Sequence, residues 1–124
     1  MVNQIQSMWP IVNKPWGTYT DFIREHHAVV KEITVLPGKK LSLQSHNFRK
    51  ECWIVMSGSG KALLEDKEIK LFSGIVVLVD VGQKHRIINN SDAILRIAEV
   101  QLGKCLETDI IRYEDDFGRE GTSN

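Results

Sequence analysis

Four side chains of this sequence offer the donor atoms of a divalent-metal site. Gln44 and His46 lie in a stretch where Leu41, Leu43 and Ser45 alternate with Ser42, Gln44 and His46. That is the period-two pattern of a half-buried strand, so Gln44 and His46 project from one face. Glu51 follows a short connection, Asn47 to Lys50, where a hairpin-like return would bring its carboxylate beside His46. His85 opens a later strand just after a Gly82 turn and would close the set from across a barrel. Two imidazole nitrogens, a carboxylate oxygen and an amide oxygen suit Zn, Mn, Fe, Co or Ni, and lack the thiolates of a structural zinc site. Four protein ligands leave room for water or substrate on a five- or six-coordinate ion, as a catalytic metal requires. Spacing alone leaves a plainer reading open. A Gln-x-His pair on a strand is commonplace, and a lone histidine is more often a hydrogen-bonding residue than a ligand. His26 and His27 are set aside, because an adjacent pair points to opposite faces of a strand.

The elements that must position these donors read as short strands separated by Gly, Pro, Asn and Asp. Thr18 to Ile23 is extended, and His27 to Leu36 is rich in β-branched residues before the turn at Pro37-Gly38. Trp53 to Met56 is a short buried run stopped by Ser57-Gly58-Ser59-Gly60. Lys61 to Leu64 and Glu68 to Phe72 flank a hairpin at Glu65-Asp66-Lys67. Ile75 to Val79, His85 to Ile88 and Ile94 to Gln101 supply three more strands. Roughly eight or nine strands at near-regular spacing predict an all-β sandwich or barrel. Only Thr108 to Asp116 is expected to form a helix, and a short one.

The 124 residues fit one domain, 1–124, large enough to bury a core without disulfides. Lys plus Arg equals Asp plus Glu at 16 each, so no global field draws the chain to nucleic acid or an anionic membrane. Cys52 and Cys105 match no zinc spacing, and buried thiols fit a reducing cytoplasm. The opening residues, MVNQIQSMWP, lack the basic and apolar regions of a signal peptide. The strongly apolar stretch Gly74 to Val79 is too short to span a bilayer.

The two metal-bearing windows resemble the paired motifs of the cupins. Gly38, Gln44, His46, Glu51 and Gly58 fall at the spacings of the first motif, with Gln44 where a histidine usually stands. Gly74, Gly82, His85 and Asn89 fit the second, with Asp80 in place of its proline. Beyond the motifs, Lys14-Pro-Trp-Gly-Thr-Tyr19, Lys31-Glu-Ile-Thr-Val-Leu-Pro-Gly38 and the closing Asp109 to Arg119 are similar to the type II mannose-6-phosphate isomerases. In that family the cupin is often the C-terminal domain of a bifunctional mannose-1-phosphate guanylyltransferase. The resemblance runs from about residue 13 to residue 119, and Gln44 is itself characteristic of the family. One departure is Cys52, where the family commonly carries a histidine.

The resemblance implies a single-domain cupin, a double-stranded β-helix or jelly-roll barrel. It implies a metal held by Gln44, His46, Glu51 and His85, with zinc first and Mn, Co, Ni or Fe as alternatives. The implied reaction interconverts mannose 6-phosphate and fructose 6-phosphate. No Gly-rich nucleotide-binding segment precedes residue 13, so nucleotidyl transfer is not expected of this chain. Arg119, ending the signature, is the first candidate for substrate contact, followed by Arg49 and Lys14, while Arg86 is expected on the opposite barrel face from His85. Glu51 is engaged as a ligand, which leaves the general base unassigned. Trp16, Trp53 and Tyr19 are expected to build core or barrel wall. A homodimer that hides edge strands follows from family tendency and edge logic. The competing readings are a non-catalytic sugar or sugar-phosphate binding cupin, and a metal-dependent cupin oxygenase. Gln44 in the ligand set speaks against the oxygenase.

Overall fold

The computed structural model describes residues 9–118. Its strands are β1 (Val12–Lys14), β2 (Gly17–Arg24), β3 (Ala28–Val35), β4 (Leu43–Ser45), β5 (Arg49–Ser57) and β6 (Ser59–Leu64). They continue with β7 (Lys67–Phe72), β8 (Val76–Val79), β9 (His85–Ile88), β10 (Leu95–Gly103) and β11 (Ile111–Glu114). Two antiparallel sheets form, one in the order β1-β2-β3-β10-β5-β8 and the other in the order β11-β4-β9-β6-β7. The described residues contain no helix, and hence none long and apolar enough to cross a membrane.

Strand alternation fills the space between the sheets. Along β10 the buried residues are Leu95, Ile97, Glu99 and Gln101, and along β5 they are Glu51, Trp53 and Val55. Register aligns these rows, with Leu95 opposite Val35, Ile97 opposite both Ile33 and Val55, Glu99 opposite Trp53, and Gln101 opposite Glu51. The inner face therefore changes along the strands, from an apolar floor to a polar mouth. Val35, Val55, Ala62, Leu71, Val77, Leu95 and Ile97 make up much of the floor. Each such valine, leucine or isoleucine contributes about 1.5–3 kcal/mol when fully buried, and the floor offsets the cost of buried charge at the mouth.

The expected hairpin forms at Glu65-Asp66, with Glu65 at φ 53° in the left-handed region that a tight two-residue turn requires. Gly58 joins β5 to β6 at φ 88°, where a Cβ would lie 2.3 Å from the Ile94 carbonyl oxygen, so only glycine fits.

The expected helix over Thr108 to Asp116 is not present. The segment instead forms β11, pairing Ile111 with Ser45 and Arg112 with Gln44. An isolated helix this short has too few hydrogen bonds to offset its nucleation cost, whereas pairing satisfies the backbone of β4, which would otherwise be a sheet edge. The Tyr113 and Ser45 hydroxyls, 2.9 Å apart, fasten the pair.

Asn89 closes the floor. It is fully buried, and its Nδ2 donates to the Val35 and Ala93 carbonyls at 2.9 and 2.7 Å. Its Oδ1 accepts from the Ser91 amide and hydroxyl at 3.0 and 2.7 Å. Truncation orphans several buried groups at once, so Asn89→Ala is expected to lower stability by about 2–3 kcal/mol. A denaturant titration of the two proteins checks this.

Candidate metal centre

His46, Glu51 and His85 come from three elements and meet at the mouth. Each offers one ligand atom, and those atoms lie within 4.8 Å of one another, all on buried residues. Glu51 Oε2 is 3.2 Å from His46 Nε2, and Glu51 Oε1 is 3.7 Å from His85 Nε2. Both imidazoles are oriented by the backbone. His46 Nδ1 lies 2.6 Å from the Asp109 carbonyl oxygen, and His85 Nδ1 lies 2.9 Å from that of Gln83. A carbonyl only accepts, so each Nδ1 donates to it and each Nε2 is the ring atom turned toward the cluster, as in a ligating histidine. Gln44 sits on β4 directly opposite His85 and lines the same cavity. Its Nε2 donates to the Ser42 hydroxyl at 3.0 Å, which anchors the amide group. Donor chemistry and tautomers therefore fit a divalent ion.

The electrostatics agree with that fit. Burial works to raise the Glu51 carboxyl, but the hydrogen bond with His46 and the charges of His85, His46 and Arg49 outweigh it and hold it well below the usual carboxylate range. Burial lowers His85 despite the Glu51 carboxylate, which favours the neutral ring a metal needs. Trp53 Nε1 donates to Glu51 Oε1 at 3.0 Å, so Trp53 builds the wall and also orients a ligand.

The sequence-predicted substrate residues divide. Arg49 lines the cavity, but its guanidinium is engaged by Glu51 Oε2, with Nη2 at 2.9 Å and Nε at 3.0 Å. Lys14 also lines the cavity, 5.9 Å from the centre of the Tyr19 ring, with no carboxylate in ion-pair distance among the described residues. Arg119 lies outside the described residues. Arg86 does not end on an outer face. It is buried and lines the cavity, with Nε donating to the Leu41 carbonyl at 2.8 Å and Nη2 to that of Glu114 at 3.1 Å. Alternation fixes only the direction of Cβ, and a side chain as long as arginine can finish elsewhere. Cys52 pairs outward with Leu78 and Val100, between the inward Glu51 and Trp53, so its substitution removes no group from the cavity.

Sequence reasoning passed over three further residues. Lys31, on the inner face of β3, is 4.3 Å from the centre of the Tyr19 ring and lines the cavity. Glu99 is buried in the cavity wall on β10, and burial with the nearby Glu51 charge pushes its carboxyl up to about 7. An inward position in a strand was the signal that would have flagged both. Asp109, which opens the closing family-like stretch, accepts the Asn47 and Phe48 amides at 2.8 and 2.9 Å and so holds the turn after His46, a long-range tie that the stretch alone does not disclose.

Two outcomes are expected. Asp109→Ala should weaken zinc binding about 10–100-fold by calorimetry, because the His46 turn loses its anchor. In metal-free protein, folded Glu99 keeps its proton to about pH 7 while the unfolded group releases it near the usual 4.5. The folded state then binds more protons in that window, so stability contributed by this group falls as pH rises through it. Glu99→Gln should remove that slope, worth on the order of 3 kcal/mol across the window, in denaturant titrations at several pH values.

The geometry can be set beside known proteins. Residues 3–115 match the family described as mannose-6-phosphate isomerase C-terminal. The alginate biosynthesis protein AlgA of Pseudomonas aeruginosa is 41% identical over 109 residues, covering 87% of this chain and 23% of that protein. A mannose-1-phosphate guanylyltransferase of Sinorhizobium fredii is 33% identical over 118 residues, covering 94% of this chain and again 23% of the relative. The chain thus spans about a quarter of the length of these relatives. A Klebsiella pneumoniae protein with a double-stranded β-helix domain superposes with a TM-score of 0.64 at 19% identity, covering 68% of this chain and 75% of that one, which supports the fold. With its two antiparallel sheets and its buried His-Glu-His cluster, the chain belongs to the mannose-6-phosphate isomerase C-terminal family, on the cupin fold.

Proposed function

We propose that this chain is a metal-dependent sugar-phosphate isomerase that interconverts mannose 6-phosphate and fructose 6-phosphate. The observation that carries the reading is the buried His46–Glu51–His85 cluster, whose Glu51 and His85 line a cavity of about 280 Å³ that is also lined by Lys14, Arg24, Lys31, Arg49, Arg86 and Arg112. Cationic side chains around a metal-ligand set suit an anionic substrate whose oxygens face the ligands. Membership of the family supports the same reading.

His46, Glu51 and His85, with Gln44 beside them, would hold the ion. A divalent metal bound there, zinc foremost, would supply Lewis acidity toward the oxygens of a substrate. The chain's own residues supply the rest. Lys14 and Lys31, flanking the Tyr19 ring, would hold the phosphate; Lys31 has only a 3.8 Å contact to Asp21 among carboxylates, whereas Arg24 and Arg49 are closely paired with acids. Trp16, Ile33, Leu41 and Ile87 give the cavity apolar lining that excludes water and strengthens each charge contact. Trp53 and Arg49 keep the Glu51 carboxylate in place.

The test is an isomerase assay on metal-stripped protein reloaded separately with Zn, Mn, Co, Ni and Fe. Metal-dependent formation of fructose 6-phosphate, lost in His46→Ala and His85→Ala, is the expected outcome. Stoichiometric metal binding without turnover would leave a binding cupin. Lys14→Ala should raise KM for mannose 6-phosphate about 10-fold, the effect of one charge-assisted contact, with kcat little changed.

A further inference from the structure

The inner row of β10 ends in an unusual pair. After Leu95 and Ile97 come Glu99 and Gln101, both buried, where the apolar pattern of the row would otherwise continue. Glu99 faces the cavity between Lys31 on β3 and Trp53 on β5, its direct cross-strand partners. Gln101 Nε2 donates to Glu99 Oε2 at 2.7 Å and fixes the carboxylate from behind. Among the described residues Glu99 has no cation within ion-pair distance, since Lys31 Nζ turns to Asp21 Oδ1 at 3.8 Å. Glu99 also lies outside the group of donors clustered within 4.8 Å. A carboxylate held in a cavity wall without a paired cation is costly, and such cost is characteristic of groups that act on a ligand.

The other proton acceptors of the cavity are already engaged. His46, His85 and Glu51 have their ligand atoms gathered at the metal position. Glu107, the remaining carboxylate of the lining, is exposed and lies 3.4 Å from Arg24. Burial keeps the Tyr19 hydroxyl above its ordinary range and hence protonated.

We propose that Glu99 is the acid–base residue of this site, the carboxylate that takes the proton from C2 of the open-chain aldose phosphate and returns it to C1. The inference rests on the isomerase reading. In the first step the C2–H bonding pair becomes the C1=C2 bond, the carbonyl π pair moves onto O1, and the proton rests on Glu99. In the second, the C1=C2 π pair takes that proton from Glu99 to form the new C1–H bond, while the O2–H pair becomes the C2=O π bond and the O2 proton ends on O1. C1 is reduced as C2 is oxidised, so no outside oxidant or reductant enters. Glu99 lines the cavity between Lys31 and Trp53 with one oxygen held by Gln101, the position from which a carboxylate can accept and release a substrate proton. Gln101 is a positioning residue for it.

The experiment compares metal-loaded wild type, Glu99→Gln and Glu99→Asp on mannose 6-phosphate in D2O, following fructose 6-phosphate and its C1 deuterium by NMR. Bound metal and KM are measured in parallel. Glu99→Gln is expected to lose about 10²–10⁴-fold in kcat and its C1 exchange, with metal content unchanged and KM within about threefold. Glu99→Asp, which keeps a carboxylate, is expected to recover part of the exchange, and it serves as the second variant should the glutamine protein not fold. Retention of kcat in Glu99→Gln, or loss of exchange in Glu99→Asp equal to that in Glu99→Gln, overturns the assignment while leaving the isomerase standing. Loss of metal along with activity would make Glu99 a ligand and also overturn it. Absence of turnover in wild type with every metal is a different result, which removes the isomerase reading and this inference with it.

Discussion

The rest of the structure depends on keeping one carboxylate charged inside a barrel. Glu51 is almost fully buried, and an isolated charge there would cost several kcal/mol. Both of its oxygens are therefore held: Oε1 by the Trp53 indole at 3.0 Å and Oε2 by the Arg49 guanidinium at 2.9 Å, with His46 Nε2 at 3.2 Å. Those partners come from β5 itself and from the turn before it, so the local chain conformation is set by the need to satisfy one group. The two imidazoles are fixed in turn by backbone carbonyls on distant segments, at Asp109 and Gln83.

That constraint explains why the barrel is polarised along its strands. A cluster of buried charge needs a rigid apolar floor, which the inner rows of β3, β5 and β10 provide at the Val35, Val55 and Leu95 end. Toward the other end the same rows present Lys31, Glu51, Glu99 and Gln101. Because a strand alternates with period two, a single register serves both tasks. A slip by one residue would turn Glu51 and Trp53 outward and bring Cys52 and Ile54 inward, losing site and floor together.

Much of the site was legible in the sequence. The spacing of Gly38, Gln44, His46, Glu51 and Gly58 encodes a strand, a turn and a returning strand, and a short connection leaves few ways to close it. His85 was legible for the same reason, following a Gly82 turn at the start of β9. What failed were judgements that need three dimensions. The segment Thr108 to Asp116 has a short local pattern that suits a helix as well as a strand, and only the exposed edge of β4 decides that Ile111–Glu114 is a strand. Alternation alone puts Arg86 on the outer face, yet its guanidinium reaches the Leu41 and Glu114 carbonyls and the residue lines the cavity.

The sequence by itself determined the all-β class, through short-range periodicity, and put His46, Glu51 and His85 forward as candidate donors, through chemistry that few residue types possess. Only the tertiary structure decided which inward-facing residues share the cavity with those donors. Lys31 and Glu99 are far apart in sequence and direct neighbours across β3 and β10. Asp109 anchors the turn after His46 from a separate part of the chain. Long-range pairing creates these proximities, and a carboxylate such as Glu99 acquires its altered acidity only when the barrel closes around it and removes water.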